Sequence, residues 1–192
     1  MSTDGRMTPD KPLRADARRN RARILAAAEE VFTEYGAAAS TEEVAARAGV
    51  AIGTVFRHFP TKRDLLAALM KELRRRLIDR ADALVAGGDP ATAFYEYFAF
   101  LVDTSANIGP VIGLLADEGT EIEPGDQIMA LANAFGALLE AAQRAGTVRA
   151  DARLDEVMAL VTATGHGAVA GGWPDDLRRR TVALVQDALR PR

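Results

Sequence analysis

Residues 40–62, Ser-Thr-Glu-Glu-Val-Ala-Ala-Arg-Ala-Gly-Val-Ala-Ile-Gly-Thr-Val-Phe-Arg-His-Phe-Pro-Thr-Lys, constrain this chain more than any other stretch. Ser40 stands where its hydroxyl accepts a backbone N–H of a first helical turn, and Glu43 is spaced to reach back to it. That is a capping box opening a helix. Val44, Ala45 and Ala48 then supply a short apolar face. Gly49 follows, at a position where a left-handed backbone is cheap only without a Cβ. Val50 anchors the turn, and residues 51–59 leave room for about two and a half turns of a second helix at 3.6 residues each. On that helix Val55 and Phe59, four apart, share an inward face, while Ile52, Thr54, Arg57 and His58 fall largely on other faces. Pro60 stops the helix, and Thr61 with Asp64 forms a second capping box for the helix after it. Two short helices joined at a glycine make a helix-turn-helix.

The free faces carry side chains suited to a DNA major groove. Arg57 is the candidate for a bidentate bond to guanine, and Ile52 and Ala51 for packing on a thymine methyl. Thr54 reaches either a base or a phosphate, whereas His58 and Lys62 are better placed for phosphate. The plainer alternatives are a solvated arginine at 57 and, at 58, a packed histidine that orients the helix. One short helix meets only a few base edges. Useful specificity therefore calls for a homodimer on two half-sites, about 34–36 Å apart or at another spacing that the dimer sets.

The run Ala-Gly-Val-Ala-Ile-Gly-Thr-Val-Phe-Arg-His-Phe-Pro-Thr-Lys-Arg-Asp-Leu-Leu, residues 48–66, resembles the TetR family of bacterial transcriptional regulators. Residues 24–36, Ile-Leu-Ala-Ala-Ala-Glu-Glu-Val-Phe-Thr-Glu-Tyr-Gly, are similar to that family's first helix. The resemblance implies an all-α homodimer that binds a palindromic double-stranded operator and releases it when a small molecule enters the C-terminal domain. Two residues depart from the family's pattern. Ala51 replaces the usual serine after the turn valine, and Phe56 replaces a tyrosine whose hydroxyl commonly touches a phosphate. Phe56 stays in the contact set, and backbone anchoring shifts toward Thr54, His58 and Lys62.

The net charge of -3 argues against a DNA binder until its distribution is read. Residues 1–63 hold 11 Lys and Arg against 8 Asp and Glu, while the remainder holds 13 against 19. The excess is sharpest at Lys11, Arg14, Arg18, Arg19, Arg21 and Arg23, opposed only by Asp16. Such a cluster suits phosphate contact with salt-sensitive affinity, and its plain alternative is a flexible basic tail without a partner. Residues 1–15 read as a disordered basic arm, polar and broken by Pro9 and Pro12.

The helix-turn-helix domain is expected over residues 16–80. Helix one spans about 16–35 with Ile24, Ala28, Val31, Phe32 and Tyr35 inward. The helix beginning near Lys62 runs past Leu65, Leu69, Leu73, Leu77 and Leu84 to a stop at Gly87-Gly88-Asp89-Pro90. A larger helical domain for effector binding and dimerisation follows over residues 81–192. Its first helix, 91–105, packs Phe94, Tyr95, Tyr97, Phe98 and Phe100 into seven positions, five of the chain's eleven aromatics. A helix apolar all round is either buried or lines a cavity. Phe94, Tyr97, Phe98, Leu101, Leu114, Met129 and Phe135 are the candidate lining for a small apolar or amphipathic effector, with plain core packing as the alternative. Residues 107–115, interrupted by Gly109-Pro110 and Gly113, suggest a separate irregular helix, and Asp117, Glu118, Glu121 and Glu123 a solvated loop. Helices at 125–145, 154–171 and 174–189 complete the domain. The first buries Ile128, Leu131, Phe135, Leu138 and Leu139, and the apolar faces of the other two are Leu154, Val157, Met158, Val161 and Ala168, then Leu177, Thr181, Leu184, Val185 and Ala188. By the family resemblance the last two helices form a four-helix dimer interface. Val161, His166, Leu184 and Val185 are its candidates, with intramolecular packing as the alternative.

Other chemistry is not indicated. The chain has no cysteine and two histidines, His58 and His166, neither in a nucleophile–base–acid arrangement nor a metal-ligand repeat. Gly165-His166-Gly167 lacks the strand a dinucleotide site requires. No catalytic residue, metal or cofactor is assigned. No apolar run approaches a membrane span and no signal-peptide core opens the chain, so a cytoplasmic protein without membrane contact is expected. The competing functional class is an adaptor that keeps the fold and acts through protein contacts without DNA.

Overall fold

In the computed structural model, residues 10–117 and 126–191 are described, and every regular element among them is helical. The order is α1 (Asp10–Tyr35), a 3-10 turn (Gly36–Ala38), α2 (Thr41–Ala48), α3 (Ile52–His58), α4 (Lys62–Gly87), α5 (Ala93–Asp117), α6 (Asp126–Arg144), α7 (Leu154–Ala170) and α8 (Asp175–Ala188). The chain divides into two compact units, Met1–Leu69 and Met70–Arg192. This division falls inside the continuous α4, upstream of the expected boundary after Arg80. The early α4 leucines, Leu65, Leu66 and Leu69, belong to the first unit, whereas Leu77, Ala81 and Leu84 pack into the core of the second.

In the first unit α1 buries Ile24, Ala28, Val31 and Phe32 completely, the spacing of one helical stripe. Tyr35 departs from expectation. It is 42% exposed, because the stripe ends where the chain turns off through Gly36 at φ 51°. The helix also starts earlier than expected, so residues 10–15 of the anticipated arm are helical. Pro12 lies in the first turn, where the backbone N–H has no intrahelical acceptor and its loss costs nothing. Residues 1–9 of that arm lie outside the described residues.

In the second unit α5 packs against α6, α7 and α8. The expected break at Gly109-Pro110 is absent: α5 runs unbroken to Asp117. Burial of Val111 and Leu114 beyond the proline holds the helix on course, a gain that outweighs one lost backbone bond. Gly165 lets α7 approach α5 closely, since a Cβ there would stand 2.7 Å from the Cβ of Ser105. Of the acidic run, Glu118, Glu121 and Glu123 lie outside the described residues. The expected apolar face of α8 divides between core and surface. Val182 and Leu189 are buried and Val185 packs on the core, while Leu177 and Leu184 are 43% and 71% exposed. Arg178, one turn before Val182, adds a cross-helix ion pair to Asp103 of α5 at 2.7 Å.

Candidate nucleic-acid interface

The turn between α2 and α3 is built from backbone chemistry. The Ser40 hydroxyl accepts the Glu43 N–H at 3.1 Å and the Glu43 carboxylate accepts the Ser40 N–H at 3.0 Å, completing the capping box. Gly49 adopts φ 64°, ψ 41°, and Val50 donates back to the Ala45 carbonyl at 3.1 Å. The carbonyls that the end of α2 would leave open are thereby satisfied. Val55 and Phe59 are buried, which fixes the rotation of α3. Its outer faces then present Ile52 at 37% and Phe56 at 43% exposure. Ala51 and Arg57 are exposed, and Thr54 and His58 half-buried. The Arg57 guanidinium lies 3.3 Å from the Thr54 hydroxyl, to which it donates. Ala51 caps α3 without a side-chain bond, the physical consequence of lacking the serine hydroxyl.

Several cations expected at phosphates also make contacts within the unit. Lys62 Nζ donates to the Ala39 carbonyl at 2.9 Å and stands 5.6 Å from the centre of the Phe32 ring. Arg21 lies over the Phe59 ring at 5.2 Å, and Arg23 donates to the Gly49 carbonyl at 3.3 Å. Arg19 pairs with Asp16, and Arg18 is exposed. Arg47 is a residue that sequence reasoning missed. It bridges α2 to Glu34 at 2.8 Å and Glu30 at 3.4 Å on α1. The Arg47 hydrogen bond, followed by that of Tyr35, holds the Glu34 carboxyl below the usual carboxylate range. Partners so far apart in sequence leave no periodic signal.

Five of the seven effector candidates come together in the core of the second unit. Phe94, Tyr97, Phe98 and Phe135 are fully buried, and Leu101 joins the same cluster. The Phe94 and Phe135 rings stack at 5.3 Å, and Tyr97 meets Phe135 edge-on at 5.3 Å. The Tyr97 hydroxyl donates to the Leu77 carbonyl at 3.0 Å, and burial pushes its pKa up. Leu114 is buried farther along α5, and the Met129 side chain lies outside the described residues. The dimer candidates separate. His166 and Leu184 are exposed, whereas Val161 and Val185 pack into their own core. Exposed alongside them are Val169 and Leu177. Among the described residues no cluster of His, Asp and Glu could hold a metal ion, and no helix is long and apolar enough to cross a membrane.

Residues 24–69 match the bacterial regulatory proteins of the tetR family, and residues 89–191 match the C-terminal domain of SbtR-like transcriptional regulators. The chain belongs to the TetR family of transcriptional regulators. It is 37% identical to a TetR transcription regulatory protein from Mycobacterium vanbaalenii, a likeness covering 94% of this chain and 100% of that one with a TM-score of 0.78. An HTH-type transcriptional repressor of Mycobacterium tuberculosis is 47% identical over 57 residues, 29% of this chain and 30% of that protein. The TetR-like regulator LfrR of Mycobacterium smegmatis, solved in complex with proflavine, is 25% identical with a TM-score of 0.58, covering 91% and 98% of the two chains. As a TetR-family protein this chain is a helix-turn-helix transcriptional regulator and not an enzyme. The all-α fold expected from the sequence stands.

Proposed function

We propose that this TetR-family regulator is a cytoplasmic, ligand-responsive repressor that binds an inverted-repeat operator as a homodimer. The observation that carries the reading is α3 itself. Val55 and Phe59 lock it inward, and Ile52, Phe56 and Arg57 are exposed on its outer faces. Arg57 supplies a guanine contact and Ile52 and Phe56 supply apolar contacts to thymine methyls. A repressing role is supported by the Mycobacterium tuberculosis repressor that is 47% identical over 57 residues. The exposed stripe of Leu177 and Leu184 on α8, with His166 and Val169 on α7, supports pairing of two copies across these helices.

Effector control is supported by the proflavine complex of LfrR and by the match of residues 89–191 to the C-terminal domain of SbtR-like regulators. A small apolar or amphipathic molecule bound in the second unit would favour one of two dispositions of α4. A difference of about 1–3 kcal/mol in its affinity for the two dispositions changes operator affinity roughly 5- to 150-fold. The test places a duplex selected by the purified protein in a reporter promoter. Expression falls when the regulator is present and returns with a member of a panel of amphipathic aromatic compounds. A regulator that raises expression from that promoter refutes repression. Compounds that bind the purified protein tightly yet leave its affinity for the duplex unchanged refute effector control.

A further inference from the structure

Among the described residues one buried side-chain nitrogen has no hydrogen-bond partner, Nε of Arg74 on α4. Arg74 stands on the inward stripe of that helix. It follows the buried Met70 by four positions and precedes by three Leu77, which packs on the core of the second unit. Its own helix offers it no partner. Within one turn its neighbours are Met70, Lys71, Leu77 and Ile78, and a lysine at that spacing adds repulsion. The acids closest in sequence, Glu72 and Asp79, both accept from Arg75, and Glu96 of α5 pairs with Arg80 at 3.4 Å. Buried polar groups are nearly always paired, and an orphan on a charged group costs more than one on a neutral group. Arginine cannot shed its charge to escape that cost.

We propose that Arg74 receives the acidic head group of the effector, which is an amphipathic carboxylate. This rests on the reading that the second unit binds a small effector. The Nε–H and one Nη–H of a guanidinium form a planar fork that fits the two oxygens of a carboxylate. One guanidinium balances one negative charge, which favours a carboxylate over a doubly charged phosphate. Met70 and Leu77, on the same stripe, suit the apolar remainder of such a molecule. Arg74 also lies on the same continuous helix as Leu69, where the first unit ends. A ligand held by Arg74 therefore acts directly on the helix that both units share.

The experiment titrates the full-length protein by calorimetry with compounds in matched pairs, each an arylalkanoic or medium-chain fatty acid beside its neutral amide. Arg74→Met, which keeps an apolar stem and removes the fork, and Arg74→Lys are titrated in the same way. Thermal unfolding of all three proteins is recorded without compound. The expected result is an acid that binds roughly tenfold or more tightly than its amide, the scale of a charged hydrogen bond. Arg74→Met should abolish that preference, and Arg74→Lys should restore part of it. Without compound, Arg74→Met should unfold at the same temperature as the unaltered protein or higher, since it removes a buried unpaired group. A marked fall in that temperature makes Arg74 a structural residue and overturns the inference. Amides that bind as tightly as their acids, or acids that keep their preference in Arg74→Met, overturn it while effector control stands. If no member of any pair binds the unaltered protein, the effector reading fails first and the inference falls with it.

Discussion

Replacing Gly49 by alanine probes the turn on which the reading of α3 depends. The backbone at Gly49 is left-handed, at φ 64° and ψ 41°. A Cβ in this region costs about 1–2 kcal/mol. Alanine also restricts the unfolded chain, which returns about 0.4–1 kcal/mol. The new methyl would stand 2.8 Å from the end of the Arg23 guanidinium. That side chain is exposed and flexible, so it swings away and gives up its 3.3 Å bond to the Gly49 carbonyl at little further cost. The net is a destabilisation of about 1 kcal/mol, or roughly 2–4 °C in Tm for a chain of this size. Gly49→Asn should lose less, because asparagine tolerates the left-handed region better than alanine does. Urea unfolding of the three proteins at fixed protein concentration measures the order Gly, Asn, Ala. Equal or greater stability for Gly49→Ala would refute the claim that the left-handed conformation is required there.

Arg57→Ala should erase the base preference at one position of each half-site in duplex selection, costing about 1–3 kcal/mol there. An unchanged selected sequence would make Arg57 a solvated residue. Tyr97→Phe should lower stability by about 0.5–1.5 kcal/mol through loss of the bond to the Leu77 carbonyl. Because burial raises the Tyr97 pKa in the folded state, the native protein holds that proton after the unfolded chain has lost it. Stability should therefore fall as pH rises above about 10. Unfolding series from pH 8 to 11 should show a shallower decline in Tyr97→Phe. Leu184→Glu, at a site 71% exposed in the protomer, should leave monomer stability within about 0.5 kcal/mol. In sedimentation the same variant should shift the protein from dimer to monomer, and an undisturbed dimer would move the interface elsewhere.

The helix-turn-helix was legible in the sequence because its determinants are local. Ser40 with Glu43, Gly49, and Thr61 with Asp64 each act within four residues, and all take the expected geometry. The inward rotation of Val55 and Phe59 followed from spacing alone. What escaped was decided by tertiary partners. The Ala39 carbonyl that Lys62 bonds and the two glutamates that Arg47 pairs with are distant in sequence, so neither contact leaves a local pattern. On α8 the sequence did not show which apolar residues the protomer buries, because two neighbouring stripes are both apolar. Val182 and Leu189 pack inward beside an equally apolar Leu177 and Leu184, and periodicity does not rank two such faces. The continuity of α5 through Pro110 was likewise set by the burial of Val111 and Leu114 rather than by propensity.

The most direct measurement is enrichment of random duplexes by the purified protein, followed by footprinting of the winner and its stoichiometry by sedimentation. Two protected half-sites in inverted repeat, held by two copies of the chain with affinity falling steeply as salt rises, are the expected result. Failure to enrich any sequence, or protection of a single half-site by one copy, would contradict a dimeric operator-binding regulator.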